Sequence, residues 1–113
     1  MGTTALFDRV IRDRKSHREA LRQAMIDRVR RALKEMSESI HFKDAYLFGT
    51  ITKPYRFFEK SDVDIAFIGL RDEDFFKAIA YLSRRLERNV DVVQLEKYRL
   101  REKVIKEGIP WTR

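Results

Sequence analysis

Two aspartates open an otherwise apolar segment, and this placement restricts the possible folds more than any other feature of the chain. In residues 61–69 every second side chain is apolar and would share one face of a strand: Val63, Ile65 and Phe67. Asp62 and Asp64 fall on the opposite face, together with Ala66 and Ile68. Because a buried carboxylate is costly unless cations compensate it, both acids should lie at the open end of a buried strand, where they line a cleft and face positive charge.

A third aspartate repeats the pattern further along the chain. Asp91 interrupts the apolar run of residues 90–95, so that three carboxylates converge if the two strands are neighbours. Three acids without a nearby histidine or cysteine form an all-oxygen set, which suits Mg²⁺ or Mn²⁺ better than zinc. Magnesium is usually held by one or two carboxylates and by substrate phosphates, so a nucleoside triphosphate is the expected co-ligand. Ions bridged by Asp62 and Asp64 would activate a hydroxyl and stabilise the departing pyrophosphate.

A glycine and a hydroxyl residue follow the first predicted strand. Residues 45–48 form a short apolar run, and Gly49 and Thr50 come directly after it. Glycine lets the backbone approach a phosphate closely, and the Thr50 hydroxyl and the amides that follow can donate hydrogen bonds to it. Lys53 or Arg56 would neutralise the remaining charge. The sequence thus predicts that Gly49, Thr50 and Lys53 bind the nucleotide.

The N-terminal third of the chain has the pattern of amphipathic helix. Residues 4–15 predict a short helix, and Ser16 and Glu19 have the spacing of a capping box for a second helix over residues 17–38. A continuous helix over residues 4–38 is the alternative. One face of the first part is apolar: Leu6, Phe7, Val10 and Ile11. The other face of the second part is basic: Arg18, Arg22, Arg28, Arg30, Arg31 and Lys34. These basic residues form either a solvated surface or an interaction surface.

The order of predicted elements gives the fold class. Three predicted strands alternate with helices. The helix after the second strand is capped by Asp72, and the last helix ends at Gly108. This order predicts an α+β fold in which helices pack on a small mixed sheet. We expect one compact domain, with a basic helical segment over residues 1–40 and the chemistry-bearing part over residues 41–113.

Composition narrows the class of protein. The 113 residues contain no cysteine and no apolar run long enough to cross a membrane, and the N-terminus lacks the apolar core of a secretory signal. We therefore expect a cytoplasmic protein without disulfides. The net charge of +7 favours anionic ligands, either nucleotide, nucleic acid or an acidic protein partner, but it is also common in small proteins that use it only for solubility.

These motifs resemble the minimal nucleotidyltransferases of the DNA polymerase beta superfamily, small prokaryotic proteins related to kanamycin nucleotidyltransferase. The resemblance runs from about residue 45 to 111. It rests on Leu-Phe-Gly-Thr at residues 47–50, Ser-Asp-Val-Asp-Ile at 61–65 and Val-Asp-Val-Val at 90–93. The tail at residues 100–108 is similar to the closing helix of the family. The resemblance implies a nucleotidyltransferase-like fold.

The resemblance also implies roles for the site residues. In the family the paired acids hold metal and the Gly-Ser turn holds nucleotide phosphates, which assigns Asp62, Asp64 and Asp91 to metal binding and catalysis. Many members are encoded beside a HEPN protein and form a toxin–antitoxin pair with it, and some transfer AMP from ATP to a tyrosine of that toxin. The chain departs from the family in two places. Thr50 replaces serine, and Ile51 and Lys53 stand where arginines are frequent.

Three functions follow as hypotheses. The first is a metal-dependent adenylyltransferase that acts on a HEPN toxin, in a hetero-oligomer, as its antitoxin. The second is an antitoxin that neutralises the same partner by binding alone. The third is nucleotidyl transfer to a small molecule or an RNA end, which is disfavoured because no antibiotic-binding or nucleic-acid-reading motif accompanies the predicted site.

Overall fold

The computed structural model of the protein describes residues 3–112, which form three α-helices and one four-stranded sheet. In chain order the elements are α1 (Thr3–Met36), β1 (Asp44–Phe48), β2 (Val63–Ile68), α2 (Phe75–Leu86), β3 (Val90–Gln94), α3 (Arg101–Glu107) and β4 (Ile109–Trp111). Short 3₁₀ turns follow β1 and β3 and precede α2. The predicted α+β class, with a small mixed sheet and an N-terminal helix, is confirmed.

The sheet has the strand order β3-β2-β1-β4. β2 runs parallel to β3, while β1 is antiparallel to both β2 and β4. The parallel pair arises because α2 carries the chain back to the starting edge of the sheet between the two strands. β2 and β3 are therefore adjacent, and they start at the same edge.

The alternation predicted for β2 divides the core into two layers. Val63, Ile65 and Phe67 are fully buried on one face, against α1 and α2. Ala66 packs on the other face, where Leu95 and Val104 cover the far half of the strand. The near half of that second face carries the acids, so the part of the sheet left uncovered by α3 is where the charged residues emerge.

α1 is a single helix, although two helices were the first prediction for this region. Nothing in the sequence between Asp13 and Ser16 interrupts it, and the capping-box prediction is wrong because Ser16 lies within the helix. Its second half supplies core residues from Met25 to Met36. Residues 4–18 are all exposed. This projecting part gives the molecule its length of 60 Å, against 28 Å in the next dimension.

Three boundaries differ from the sequence prediction. α2 begins at Phe75 and not at Asp72, whose carboxylate accepts hydrogen bonds from Gln94 and Lys97. α3 begins at Arg101, three residues after the predicted start at about Tyr98. β4 was not predicted, because three residues that include a proline carry no periodic signal. It forms on the free edge of β1, where the Trp111 indole donates to the Arg30 carbonyl oxygen at 3.2 Å.

Candidate active site

Neighbouring strands bring the predicted acids together. Asp64 on β2 is in register with Asp91 on β3, and the parallel pairing points both side chains to the same face of the sheet. Asp62 lies two residues before Asp64 and is exposed just ahead of the strand. Asp64 is partly buried, whereas Asp91 is exposed. The three carboxylates thus range from partly buried to exposed.

The environment of Asp64 disfavours its charged form. Burial, the charge of Asp91, the hydrogen bond between the two carboxyl groups and the charge of Asp62 together raise the pKa of Asp64 to about 6, and burial contributes most. Positive charge close to these three carboxyl groups would favour the ionised form of Asp64. A bound cation would supply that charge.

The glycine of the predicted phosphate loop lies against the central acid. Gly49 adopts a left-handed conformation with φ +76°, and a Cβ at this position would overlap the Asp64 carboxylate. Glycine is required here both by its backbone angle and by the lack of space. The loop backbone and Asp64 are therefore immediate neighbours.

The loop continues as one turn of 3₁₀ helix over Gly49–Thr52. The Thr52 hydroxyl donates to the Gly49 carbonyl oxygen at 2.7 Å, which closes the turn. Ile51 is fully buried in the core and anchors the turn from below. Thr50 remains partly exposed beside Gly49. Ile51 therefore has a packing role at the position where the family frequently has an arginine.

A cleft of about 240 Å³ extends from this loop toward α3. Gly49, Thr52 and Lys53 form one wall. The opposite wall includes Tyr98, Lys103 and Gly108, with Phe48 packed 5.7 Å from the Tyr98 ring. Lys53 thus lines the cleft, whereas Arg56 does not.

A buried ion pair on α1 holds the loop in place. The Arg22 guanidinium donates to both carboxylate oxygens of Glu19, at 2.9 and 2.8 Å, and its third hydrogen bond goes to the Ile51 carbonyl oxygen at 3.0 Å. Glu19 also accepts from the Tyr55 amide at 3.1 Å. Hydrogen bonds from Arg22 and Gln23 lower the pKa of Glu19 to about 2, so the pair is fully charged at neutral pH.

Arg22 therefore corrects one expectation. It was grouped with the outward-facing basic residues of the N-terminal helix, but it is buried and bonded to the loop after Gly49. Arg28 is also committed, since it donates to the Leu86 carbonyl oxygen at 3.2 Å. The basic face is thus partly structural.

A second arginine braces the approach to the acids. Arg88 donates to the Ser61 carbonyl oxygen at 2.6 Å and to the Phe58 carbonyl oxygen at 3.3 Å, and its guanidinium lies 5.0 Å from the Phe57 ring centroid. These contacts fix the segment that leads into Asp62. Sequence reasoning missed the contacts that Arg88, Arg22 and Glu19 make with this loop. Their partners in the loop are distant in sequence, so no local pattern indicates them.

The donor set fits a hard cation that also binds phosphate. Asp64 and Asp91 offer oxygen ligands only, which is the preference of Mg²⁺ and Mn²⁺. Within residues 3–112 no three acidic, histidine or cysteine side chains lie close enough to hold a metal by themselves. Two carboxylates next to the turn after Gly49 match the preference of a magnesium ion that completes its shell with substrate oxygens, and Asp62 lies exposed just ahead of them.

Comparison with known proteins defines the class. The model of the family described as "Polymerase beta, Nucleotidyltransferase" matches residues 31–110, which include the glycine loop and all three acids. The chain therefore belongs to the polymerase beta nucleotidyltransferase family.

Solved structures support the same fold. A toxin–antitoxin structure with AMP-PNP is similar at a TM-score of 0.62 and 22% identity, over 74% of this chain and 74% of that one. The MntA-HepT toxin–antitoxin structure is similar at a TM-score of 0.55 and 24% identity, over 84% of this chain and 74% of the other. No curated protein matches the chain. None of the helices in residues 3–112 has the length and apolarity needed to span a bilayer.

The raised pKa of Asp64 predicts a loss of stability with rising pH in metal-free protein. The folded state binds this proton more tightly than the unfolded chain, so its stabilising effect is complete below about pH 4 and is lost as pH rises through about 6. Ionisation of Asp64 over this range should lower the free energy of unfolding by about 1–2 kcal/mol, which is less than the full effect because the group is partly exposed to solvent. Asp64→Asn cannot ionise at this position and should not show the loss.

Urea denaturation from pH 4 to 7 in the presence of a chelator measures this difference. Asp72→Asn is the matched control, since hydrogen bonds from Lys97 and Gln94 lower the pKa of that carboxyl and do not raise it. This variant should therefore still lose stability above pH 4, as wild type does. Parallel pH profiles for wild type and Asp64→Asn would contradict the assignment.

Arg22→Met should lower the free energy of unfolding by about 1–3 kcal/mol, because the Ile51 carbonyl and Glu19 lose a charged partner. Arg22→Lys should recover little of this loss, since an ammonium group cannot reproduce the paired contacts of a guanidinium. Hydrogen exchange of the amides of residues 51–56 should accelerate in both variants. Arg30→Met, an exposed change on the same helix, is the control and should shift stability by less than about 0.5 kcal/mol. Unchanged exchange in Arg22→Met would show that the loop does not depend on this pair.

Proposed function

We propose that this protein is a metal-dependent nucleotidyltransferase that transfers AMP from ATP to a tyrosine hydroxyl of a HEPN-family toxin, and that it acts as the antitoxin of that toxin. The observation that carries the proposal is the contact between the Gly49 backbone and Asp64, with Asp91 in register beside it. Phosphate-binding backbone and metal-binding carboxylates are thereby adjacent, as transfer of a phosphoryl-linked group requires.

The residues divide into two groups by the part of the reaction they serve. Asp62, Asp64 and Asp91 would hold Mg²⁺ or Mn²⁺, which when bound supplies charge stabilisation for the attacking and leaving oxygens. Gly49 and Thr50 would bind the triphosphate through backbone amides and a hydroxyl. The open backbone of the 3₁₀ turn after β1, pinned by its buried isoleucine, gives these donors a fixed direction.

Lys53 and the cleft beside it would receive the remainder of the nucleotide. Lys53 brings a positive charge to the wall that includes Gly49, and Lys103 brings a second from the other wall. The aromatic pair Phe48 and Tyr98 lies at the same cleft and offers a flat apolar surface for a nucleobase. These features support ATP as the substrate.

Asp91 is the residue that we assign as general base. Its carboxylate is exposed at the rim, where a hydroxyl carried by a macromolecule can reach it. A phenol ionises near pH 10 in water, so its proton must be removed as the oxygen attacks. The phenol oxygen bonds to the α-phosphorus, the bond to the pyrophosphate oxygen breaks, and the phenolic proton passes to Asp91.

Neutralisation by binding alone is the second candidate. Ile51 occupies a position where the family frequently has an arginine. Its aliphatic side chain brings no charge to the proposed phosphate site and is fully buried in the core. The similar solved structures are toxin–antitoxin complexes, which supports a partner-binding role whether or not transfer occurs.

The site should bind ATP and Mg²⁺ cooperatively. Ligand at one hundred times its dissociation constant stabilises a folded protein by about 2.7 kcal/mol, which a melting scan detects readily. We expect a large shift with ATP and Mg²⁺ together and a small shift with either alone. The double variant Asp62→Asn/Asp64→Asn should lose the joint shift, whereas Asp72→Asn, outside the cleft, should retain it. Equal shifts in wild type and the double variant would remove these acids from the site.

Incubation of the HEPN toxin with this protein, ATP and Mg²⁺ should raise the intact mass of the toxin by whole multiples of AMP. Asp91→Asn should slow the transfer by about 100-fold or more, the usual contribution of a general base. Toxin that is inhibited without any gain in mass, and equally by Asp64→Asn, would identify the protein as a binding antitoxin.

A further inference from the structure

The helical projection formed by residues 4–18, here called the arm, has an apolar stripe that the rest of the chain does not cover. Four side chains at helical spacing make up the stripe, with exposed fractions of 60%, 65%, 39% and 36%: Leu6, Phe7, Val10 and Ile11. The same helix buries its stripe from Met25 to Met36 in the core. The arm thus continues a packing face beyond the edge of the body.

A helix of this length needs contacts to be stable. Isolated helices of about 12–15 residues are marginal in water, and most helical stability in proteins comes from packing of an apolar face. Every residue from 4 to 18 is exposed. The described side-chain contact between arm and body is the 2.8 Å hydrogen bond from His17 to Glu59, which is itself exposed. A partner that covers the stripe would supply the missing packing.

The junction of arm and body forms a hollow that continues the stripe. Val10 borders it on the arm and Phe58, 44% exposed, on the body. The charged and polar residues that line it are Asp13, Arg14, His17, Arg18 and Glu59. Because Glu59 is paired with His17, Arg14 and Arg18 provide the positive charge of this corner, beside its apolar residues.

We propose that the arm and this corner are the docking surface for an amphipathic helix with acidic flanks on the toxin partner. This inference rests on the proposed function. The apolar stripe fits the apolar side of such a helix, and Arg14 and Arg18 fit its acidic edge.

Charge argues against two other occupants. The arm carries five basic and two acidic residues, and the chain has a net charge of +7, so a second copy would bring like charge to the interface. Nucleic acid would match the charge but not the stripe, since duplex binding depends on phosphate contacts and leaves large aliphatic side chains exposed.

The arm lies outside the part of the chain that matches the family, which begins at residue 31, while Phe58 of the corner lies within it. The arm is also separate from the glycine loop and the acids. Changes on the arm should therefore alter partner affinity without altering nucleotide binding.

Titration of the HEPN toxin against wild type and arm variants tests the proposal. Phe7→Asp and Ile11→Asp should each weaken binding at least tenfold, while Ile105→Asp, a change at an exposed isoleucine on α3, should not. Arg14→Glu/Arg18→Glu should weaken binding, whereas Arg9→Glu/Arg12→Glu should have little effect because these residues lie on the opposite side of the helix. The thermal shift with ATP and Mg²⁺ should be unchanged in all of them.

Hydrogen exchange gives a second measurement that does not depend on the variants. Amides of residues 4–18 should exchange rapidly in the free protein and become protected in the complex. Toxin that binds wild type and Phe7→Asp equally, with no protection of the arm, overturns this proposal and leaves the proposed function intact. Toxin that does not bind wild type overturns both.

Two further outcomes would name another occupant. A wild-type dimer in sedimentation that Phe7→Asp converts to monomer would assign the stripe to a second copy of the chain. Tight, salt-sensitive RNA binding that Arg14→Glu/Arg18→Glu abolishes, with toxin affinity unchanged, would assign the arm to nucleic acid.

Discussion

The contact between the Gly49 backbone and the Asp64 carboxylate is the constraint on which the site depends. It exists because β1 ends and β2 begins at the same edge of an antiparallel pair, so the turn after one strand lies over the first acid of the other. Any side chain at Gly49 would occupy the space of that carboxylate. The parallel partner β3 then adds Asp91 in register. One glycine therefore links the proposed phosphate-binding and metal-binding halves of the site.

α1 connects this site to the rest of the molecule. Its middle section holds the turn after Gly49 through Arg22 and Glu19, and its second half forms the core beneath the sheet. Its first half projects into solvent with an apolar stripe. One helix thus holds the loop, forms part of the core and exposes an apolar stripe. The part of the molecule that each turn of the helix faces decides which of these roles that turn has. The catalytic unit and the proposed partner surface consequently share a rigid support.

The sequence predicted the placement of Asp64 on its strand better than it predicted the boundaries of the elements. Alternation in residues 61–69 located Asp64 correctly because a strand buried on both faces tolerates carboxylates only at its end. The strand β4 was missed because Ile-Pro-Trp has no period and forms only where β1 offers a free edge. The capping box at Ser16 was wrong because Ser16 lies within a continuous helix, and Glu19 pairs instead with Arg22, one turn further along.

The sequence by itself determined the order of β1, β2, α2, β3 and α3, the all-oxygen character of the proposed site and its candidate residues Gly49, Asp62, Asp64 and Asp91, since these follow from local periodicity and from the chemistry of single side chains. Only the tertiary structure decided which strands are neighbours, which charges are buried and which apolar stripe is left uncovered. These properties depend on contacts between residues far apart in the chain. Arg22 and Phe7 lie on the same helix, and nothing local distinguishes a residue that the body covers from one that extends beyond it.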